Sequence, residues 1–329
     1  MKFSSKLSVL VSIYAISLLI WFVLWLTIGD GFWWMTYLNP IFPSLFVPVP
    51  VFLTWAIVTR QHRSLIPLLA PVLIFGWLYY PYLFPKFRRV AEAKPDLTVM
   101  TYNVLYSNTR YNHVADVILL YHPDLIALEE VQPEMMAALR FRLAEEYPYS
   151  IMGTENNFGT TAVFSRTPFV DSYVLDLQAD RPATVVKTVI AGHEISFVAV
   201  HLIAYNLWWT KPKDMPAVTA QRTIDQNRQA GLVLKQINDL NGTVIVGCDC
   251  NSYETSSSYR MFERSMRNSA RETGLYIGKS ELPGVKRDNS LRHIDYVWYR
   301  GALTPMSVYK IKESAGSDHL PVLATFQMK

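Results

Sequence analysis

The sequence has only two cysteines in 329 residues, Cys248 and Cys250, which excludes a disulfide framework as the source of stability. Because they lie two apart in one apparent strand, an extended backbone holds their β-carbons farther apart than a disulfide tolerates, and no bridge is expected. No second Cys or His pair stands at zinc-site spacing, so the thiols read as small core residues facing away from Asp249 between them. Charge is nearly missing from residues 7–85, where Asp30, Arg60 and Arg63 are the only charged side chains, while residues 86–329 carry 53 of the chain's 58. That imbalance excludes a purely soluble single-domain protein. The polar part has no basic surplus either: beyond residue 94 there are 23 Lys and Arg against 25 Asp and Glu, a net charge of −2, and the overall +4 comes from residues flanking the apolar segments. Diffuse electrostatic binding of nucleic acid is therefore disfavoured.

Residues 7–28 form a run of 22 without a charge, long enough at about 1.5 Å per residue to cross about 30 Å of hydrocarbon. The run continues into Trp33 and Trp34 rather than a small-residue cleavage site, which reads as a spanning helix with an aromatic belt rather than a signal peptide. Two further apolar runs, 41–58 and 65–84, are separated by Arg60-Gln61-His62-Arg63. Together they give an anchor over 1–86 with about three transmembrane helices, although Pro43, Pro48, Pro50, Pro67 and Pro71 each remove a backbone donor that lipid cannot replace. A hairpin that does not fully cross is the alternative. Lys2 and Lys6 against the uncharged-to-acidic first loop place the N-terminus in the cytoplasm. Three crossings then make the protein integral to the cell membrane, with its polar domain outside the cytoplasm.

A linker over 87–96 leads into a polar domain over 97–329. Short apolar or alternating runs at 97–102, 125–128, 161–164, 184–190, 195–200, 243–246, 294–299 and 320–326 read as strands, and 111–121, 133–147 and 219–240 read as helices. Strands with interspersed helices predict an α+β fold, a two-layer β-sandwich flanked by helices.

Polar residues cluster where these strands end. Asn103 closes the first, Glu130 follows the second, His201 ends the fifth, Asp249 and Asn251 follow the sixth, Asp295 opens the seventh, and Asp318-His319 precedes the last. One strand-end Asp or Asn is ordinarily a turn residue. Four carboxylates, Glu130, Asp249, Asp295 and Asp318, are costly to half-bury unless paired or bound to a cation, and an oxygen-rich set suits Mg²⁺ or Mn²⁺ rather than zinc. Thr101-Tyr-Asn103-Val, Leu128-Glu-Glu130-Val, Val200-His201-Leu, Gly247-Cys-Asp249-Cys-Asn251, His293-Ile-Asp295-Tyr and Ser317-Asp318-His319-Leu-Pro occur in the order found in the endonuclease/exonuclease/phosphatase superfamily. The chain resembles that DNase I-like group of metal-dependent phosphoesterases, with Glu129 where Gln is usual and Cys250 where Phe is common.

The resemblance implies that Glu130 binds the metal, with Asp318 as a second ligand or outer partner, and that Asn103 orients Glu130 or a phosphate oxygen. It further implies that Asp295 fixes the tautomer of His319, that His201 donates to phosphate or the leaving oxygen, and that Asp249 with Asn251 enters the cleft. Either Asp249 or His319 takes the proton of the attacking water. Arg181 is a secondary candidate for a phosphate. Trp208 and Trp209, beside Lys211 and Lys213 just after His201, fit a lipid interface at the rim of the site. The expected function is a membrane-anchored, Mg²⁺-dependent phosphoesterase acting on a lipid-linked or membrane-proximal phosphate ester, with a nuclease as the alternative and a non-catalytic headgroup-binding module ranked lower.

Overall fold

The computed structural model describes residues 2–38, 41–84, 94–154, 158–178, 181–205, 210–274 and 293–329. Most of the expected linker, and Trp208 and Trp209, lie outside the described residues.

The apolar part forms α1 (Lys2–Ile28), a short α2 (Trp33–Leu38), a 3₁₀ turn at Phe42–Phe46, α3 (Pro48–Val58) and α4 (His62–Leu83). Ser8 and Ser64 share a hydroxyl hydrogen bond of 2.7 Å near the starts of α1 and α4, and the Trp25 and Trp77 rings lie 6.1 Å apart near their ends. The two long helices thus run parallel, and the segment between them returns. Among the described residues only α1 and α4 are long and apolar enough to cross a membrane. The middle run, expected as a full span, gives a 3₁₀ turn holding Pro43 and then an 11-residue helix whose first turn carries Pro48 and Pro50. Outward positions of both long helices are large and apolar, among them Ile13, Ile20, Ile66 and Leu73.

The polar part contains β1 (Leu97–Asn103), α5 (Tyr111–Tyr121), β2 (Leu125–Val131), α6 (Pro133–Leu143), β3 (Tyr149–Met152), β4 (Thr160–Ser165), β5 (Phe169–Leu175), β6 (Ala183–Ile190) and β7 (His193–His201). It continues through α7 (Met215–Asp239), β8 (Thr243–Asp249), α8 (Ser257–Ser265), β9 (Arg267–Asn268), α9 (Ser269–Thr273), β10 (Asp295–Arg300), β11 (Leu303–Lys310) and β12 (Val322–Met328). One sheet has the order β11-β12-β1-β2-β4-β3, the other β5-β6-β7-β8-β10-β9. Each has at its centre a parallel pair, β1 with β2 and β7 with β8, flanked by antiparallel neighbours. A parallel pair needs a crossover, and α5 and α7 supply it.

Val99, Ala127, Phe197, Ile245 and Val297 fill the space between the sheets. The sheets approach most closely at Gly247, where a Cβ would lie 2.6 Å from that of Ala127. The outer faces bury Val114, Ile118 and Leu139 under α5 and α6, and Val233, Ile237 and Phe262 under α7 and α8. The expected α+β sandwich flanked by helices is the observed fold. The apolar cluster between the sheets continues without a break into Trp21 and Trp25 of α1. At the junction the Trp25 indole donates to Thr255 O at 2.7 Å, Asp30 accepts the Ser257 amide at 3.0 Å, and the Arg260 guanidinium lies 5.0 Å over the Trp25 ring.

Candidate active site

Strand register brings the strand-end residues together. His201 is paired with Asp249 across the parallel β7–β8 ladder, and Asp249 with Asp295 across the antiparallel β8–β10 ladder. In the other sheet Asn103 is paired with Glu129. Parallel strands end on one edge, so Asn103, Glu130, His201 and Asp249 share one rim of the sandwich, where loops can diverge to form a cleft.

Glu130 reaches that rim by a departure from strand geometry. The β2–β4 register slips between Leu128 and Val131, and Glu130 has φ +60°. The backbone of Gly159 packs against it, where a Cβ would come within 2.4 Å of the Glu130 carbonyl carbon. Glu130 Oε2 accepts the Tyr106 amide at 3.1 Å, while Oε1 lies 3.7 Å from His201 Nε2. Glu129 turns the other way. It is fully buried, accepts from Thr101 Oγ1 at 2.7 Å, and its Oε2 has no partner. Burial holds its carboxyl well above the usual range, so it is a neutral acid and adds no anion beside Glu130.

Asp249 is the hub. Its Oδ2 accepts from Asn103 Nδ2 at 2.8 Å and lies 3.3 Å from His201 Nε2 and 3.8 Å from His319 Nε2, while Oδ1 accepts the Asn251 amide at 3.1 Å. Burial pushes the Asp249 carboxyl up to about 7. Asn103 therefore orients Asp249, not Glu130 as expected, because its side chain crosses between the sheets. His319 Nδ1 lies 3.0 Å from Asp295 Oδ1, the pairing expected. Burial alone would lower the His319 pKa, but the carboxylates of Asp295 and Asp249 outweigh it and hold the imidazole well above its ordinary value. His201 goes the opposite way: burial, then the nearby charges of Arg181 and His319, hold it well below. Two histidines in one site thus divide into an imidazolium and a neutral ring, the separation that acid–base chemistry exploits.

Asn103, Glu130, His201, Asp249, Asn251, Asp295 and His319 therefore converge. Asn251, at φ +45°, donates its amide to Leu202 O at 3.0 Å. Arg181 joins them: its guanidinium meets His201 Nε2 and donates to Leu202 O at 3.1 Å. Asp318 is exposed, and its charge is among those that raise the His319 pKa. Cys248 and Cys250, expected as free thiols, form a disulfide. β8 ends at Asp249, and the chain turns there, so the two Cα atoms are 5.1 Å apart, within disulfide reach.

The sequence reading missed Gln226 and Gln229, both buried on α7. Gln226 Nε2 donates to the carbonyls of Ile203 and Asn251, at 2.9 and 3.0 Å, and Gln229 Oε1 accepts the Ile203 amide at 2.8 Å. Their signal was two amides three apart, in line with the apolar stripe Ala230, Val233, Ile237. Ligand atoms of Asp249, Asp295 and His319 lie within 4.8 Å of one another. Asp295 and His319 are already engaged with each other, so the carboxylate oxygens of Glu130 and Asp249, hard donors with the amide oxygen chemistry of Asn103 and Asn251 nearby, fit a hard divalent cation better than zinc.

Among solved structures, the chain is similar to a humanized form of D. rerio TDP2, at 19% identity and TM-score 0.56, covering 70% of this chain and 99% of that one. The human nocturnin catalytic domain with bound sulfate matches at 20% identity and TM-score 0.53, over 71% of this chain and 94% of that one. An endonuclease/exonuclease/phosphatase from Beutenbergia cavernae matches at 21% and 0.53, over 71% and 72%. At these identities the likeness establishes the fold. No curated protein matches. The profile of the Endonuclease/Exonuclease/phosphatase family matches residues 100–319, which spans all six motifs, and the chain belongs to that family.

Proposed function

We propose that the protein is a membrane-anchored, Mg²⁺-dependent phosphoesterase acting on a lipid-linked or membrane-proximal phosphate ester. The observation that carries this reading is the junction: α1 and α4 end against Glu254, Thr255 and Ser257, on the loop that leaves Asp249 and Asn251. Large apolar side chains face outward along both helices, which is costly in water and favourable in lipid. Their parallel course supports an odd number of passages, with the N-terminus bearing Lys2 and Lys6 and the catalytic domain on opposite sides. A disulfide fits an extracytoplasmic location.

Glu130 and Asp249 would hold the cation, which when bound neutralises phosphate charge as the transition state forms. Asp249, at the hub between His201, His319 and Asn103, is placed to take the water proton. His319, kept protonated by Asp295, donates from Nε2 to a phosphate oxygen or the leaving group. His201, with Arg181 at its Nε2, offers the phosphate a second cradle, and Asn103 and Asn251 fix the hub. Trp208 and Trp209 belong to the same proposal, at the lipid-facing rim.

Incubating purified protein and Mg²⁺ with bis(p-nitrophenyl) phosphate, with phospholipid vesicles and with DNA tests the reading. Lipid turnover abolished by chelation supports it. Rapid DNA cleavage with no lipid turnover would reverse the ranking in favour of a nuclease, although the net-negative polar part offers no basic surplus to nucleic acid.

A further inference from the structure

A cavity of about 490 Å³ lies where the anchor meets the catalytic domain, within the ~300–1,000 Å³ range of ligand sites. One wall is apolar, from Phe46, Val49, Val72 and Phe75. The other comes from catalytic-domain loops through Glu254 and His293, with Tyr82 donating to Glu254 Oε1 at 3.3 Å. Of the lining residues Val47 is exposed, so the cavity's edge is as apolar as its wall.

We infer that this cavity holds the hydrocarbon chain of a phosphate ester drawn from the bilayer, an inference that rests on the phosphoesterase reading and narrows its substrate to long-chain amphiphiles. Four observations favour a chain over water or a free headgroup. The apolar wall is built from α4 and from the segment that precedes it in the anchor, so what enters comes from lipid. The space exists because the proline-bearing turn and the 11-residue α3 do not fill the length that α1 and α4 define. Burial biases the polar wall toward its neutral forms, raising the Glu254 carboxyl and pushing His293 down to about 3. Finally, the polar wall and the catalytic groups are parts of the same two loops. Glu254 follows Asn251 by three residues and His293 precedes Asp295 by two, and the loops are tied by the Cys250 amide donating to Ile294 O at 2.8 Å and the Tyr296 hydroxyl to Ser252 O at 3.0 Å. Two to three residues reach at most about 7 to 11 Å, the length of a glycerol phosphate or of the first carbons of an alkyl phosphate.

The test uses the full-length protein in vesicles, with Mg²⁺ chelated, and a hexadecyl phosphate carrying a terminal diazirine. Photolabelling is expected on the peptides of residues 43–50 and 72–82. Unlabelled hexadecyl phosphate should suppress it at least tenfold, and butyl phosphate at the same concentration should not. Val72→Trp fills the cavity from α4 at a position already 39% exposed, and Val49→Phe fills it from α3. Each should cut cavity labelling about tenfold while labelling of the outward face of α1, at Ile13 and Ile20, stays constant. Labelling spread evenly over all outward faces, or unaffected by both variants, overturns the inference, as does equal competition by butyl phosphate. The assay needs no catalysis, so cavity labelling without turnover of bis(p-nitrophenyl) phosphate sinks the phosphoesterase reading alone, and turnover without cavity labelling sinks the chain site alone.

Discussion

Asp295→Asn separates the charge that holds His319 from the shape that holds it. The carboxylate meets Nδ1 through both oxygens, at 3.0 and 3.1 Å, and the imidazole side chain is only 16% exposed. Opposite charges about 4 Å apart at an effective dielectric of about 20 interact by roughly 4 kcal/mol. The amide keeps the volume and one hydrogen bond but loses that attraction. His319 should then deprotonate at lower pH, so fewer molecules carry the imidazolium when Asp249 is ionised. Turnover of bis(p-nitrophenyl) phosphate at pH 7.5 should drop by ~10²-fold. The alkaline limb of the profile of kcat/KM against pH should move acidward, while the melting temperature stays within a few degrees. An alkaline limb displaced by less than half a unit, with activity lost, would refute the assignment of His319 as the protonated partner.

Glu130→Gln and Asp249→Asn should each lower turnover by ~10²-fold or more at unchanged fold, and near-normal rates in both, with metal present, would mean the site is misplaced. Gln226→Met leaves the carbonyls of Ile203 and Asn251 without their donor, which should cost about 1–3 kcal/mol and show as a lower denaturation midpoint with weakened activity. His293 has a folded pKa of about 3, below its unfolded value. Its contribution is therefore intact above about pH 6.5 and is lost as pH falls below that, by up to about 1.4 kcal/mol per unit. Melting of His293→Asn should lack that part of the acid slope, and identical slopes would contradict the burial argument. A membrane-impermeant thiol reagent should label a cysteine placed at Lys329 in intact cells; labelling only after permeabilisation would put the catalytic domain in the cytoplasm.

The site was legible because each of its residues ends a strand whose apolar run is plain in the sequence, and register then leaves little freedom: once β7 pairs with β8 and β8 with β10, His201, Asp249 and Asp295 must meet. What escaped was set by departures from periodicity. Glu130 faces the site through a bulge and a positive φ, which alternation does not encode. The Cys248–Cys250 bridge depends on where β8 stops, a boundary settled by the turn at Asn251. Gln226 lies in line with the apolar stripe of α7, but only tertiary packing presents it with two loop carbonyls. β5 went unread because its pattern is mostly exposed, as expected of a sheet edge, and offers no alternating stripe.

The boundary near residue 96 is a boundary of composition and not of packing. Asp30 accepts the first amide of α8, and the Trp25 indole satisfies Thr255. A catalytic domain cut free at residue 97 would begin α8 without that acceptor, leave a loop carbonyl unmet, and expose to water the apolar surface that Trp21 and Trp25 now cover. Such a domain is not a portable module. Transplanting it onto a foreign anchor, or expressing it alone, means designing a replacement for those three contacts before any comparison of rates has meaning.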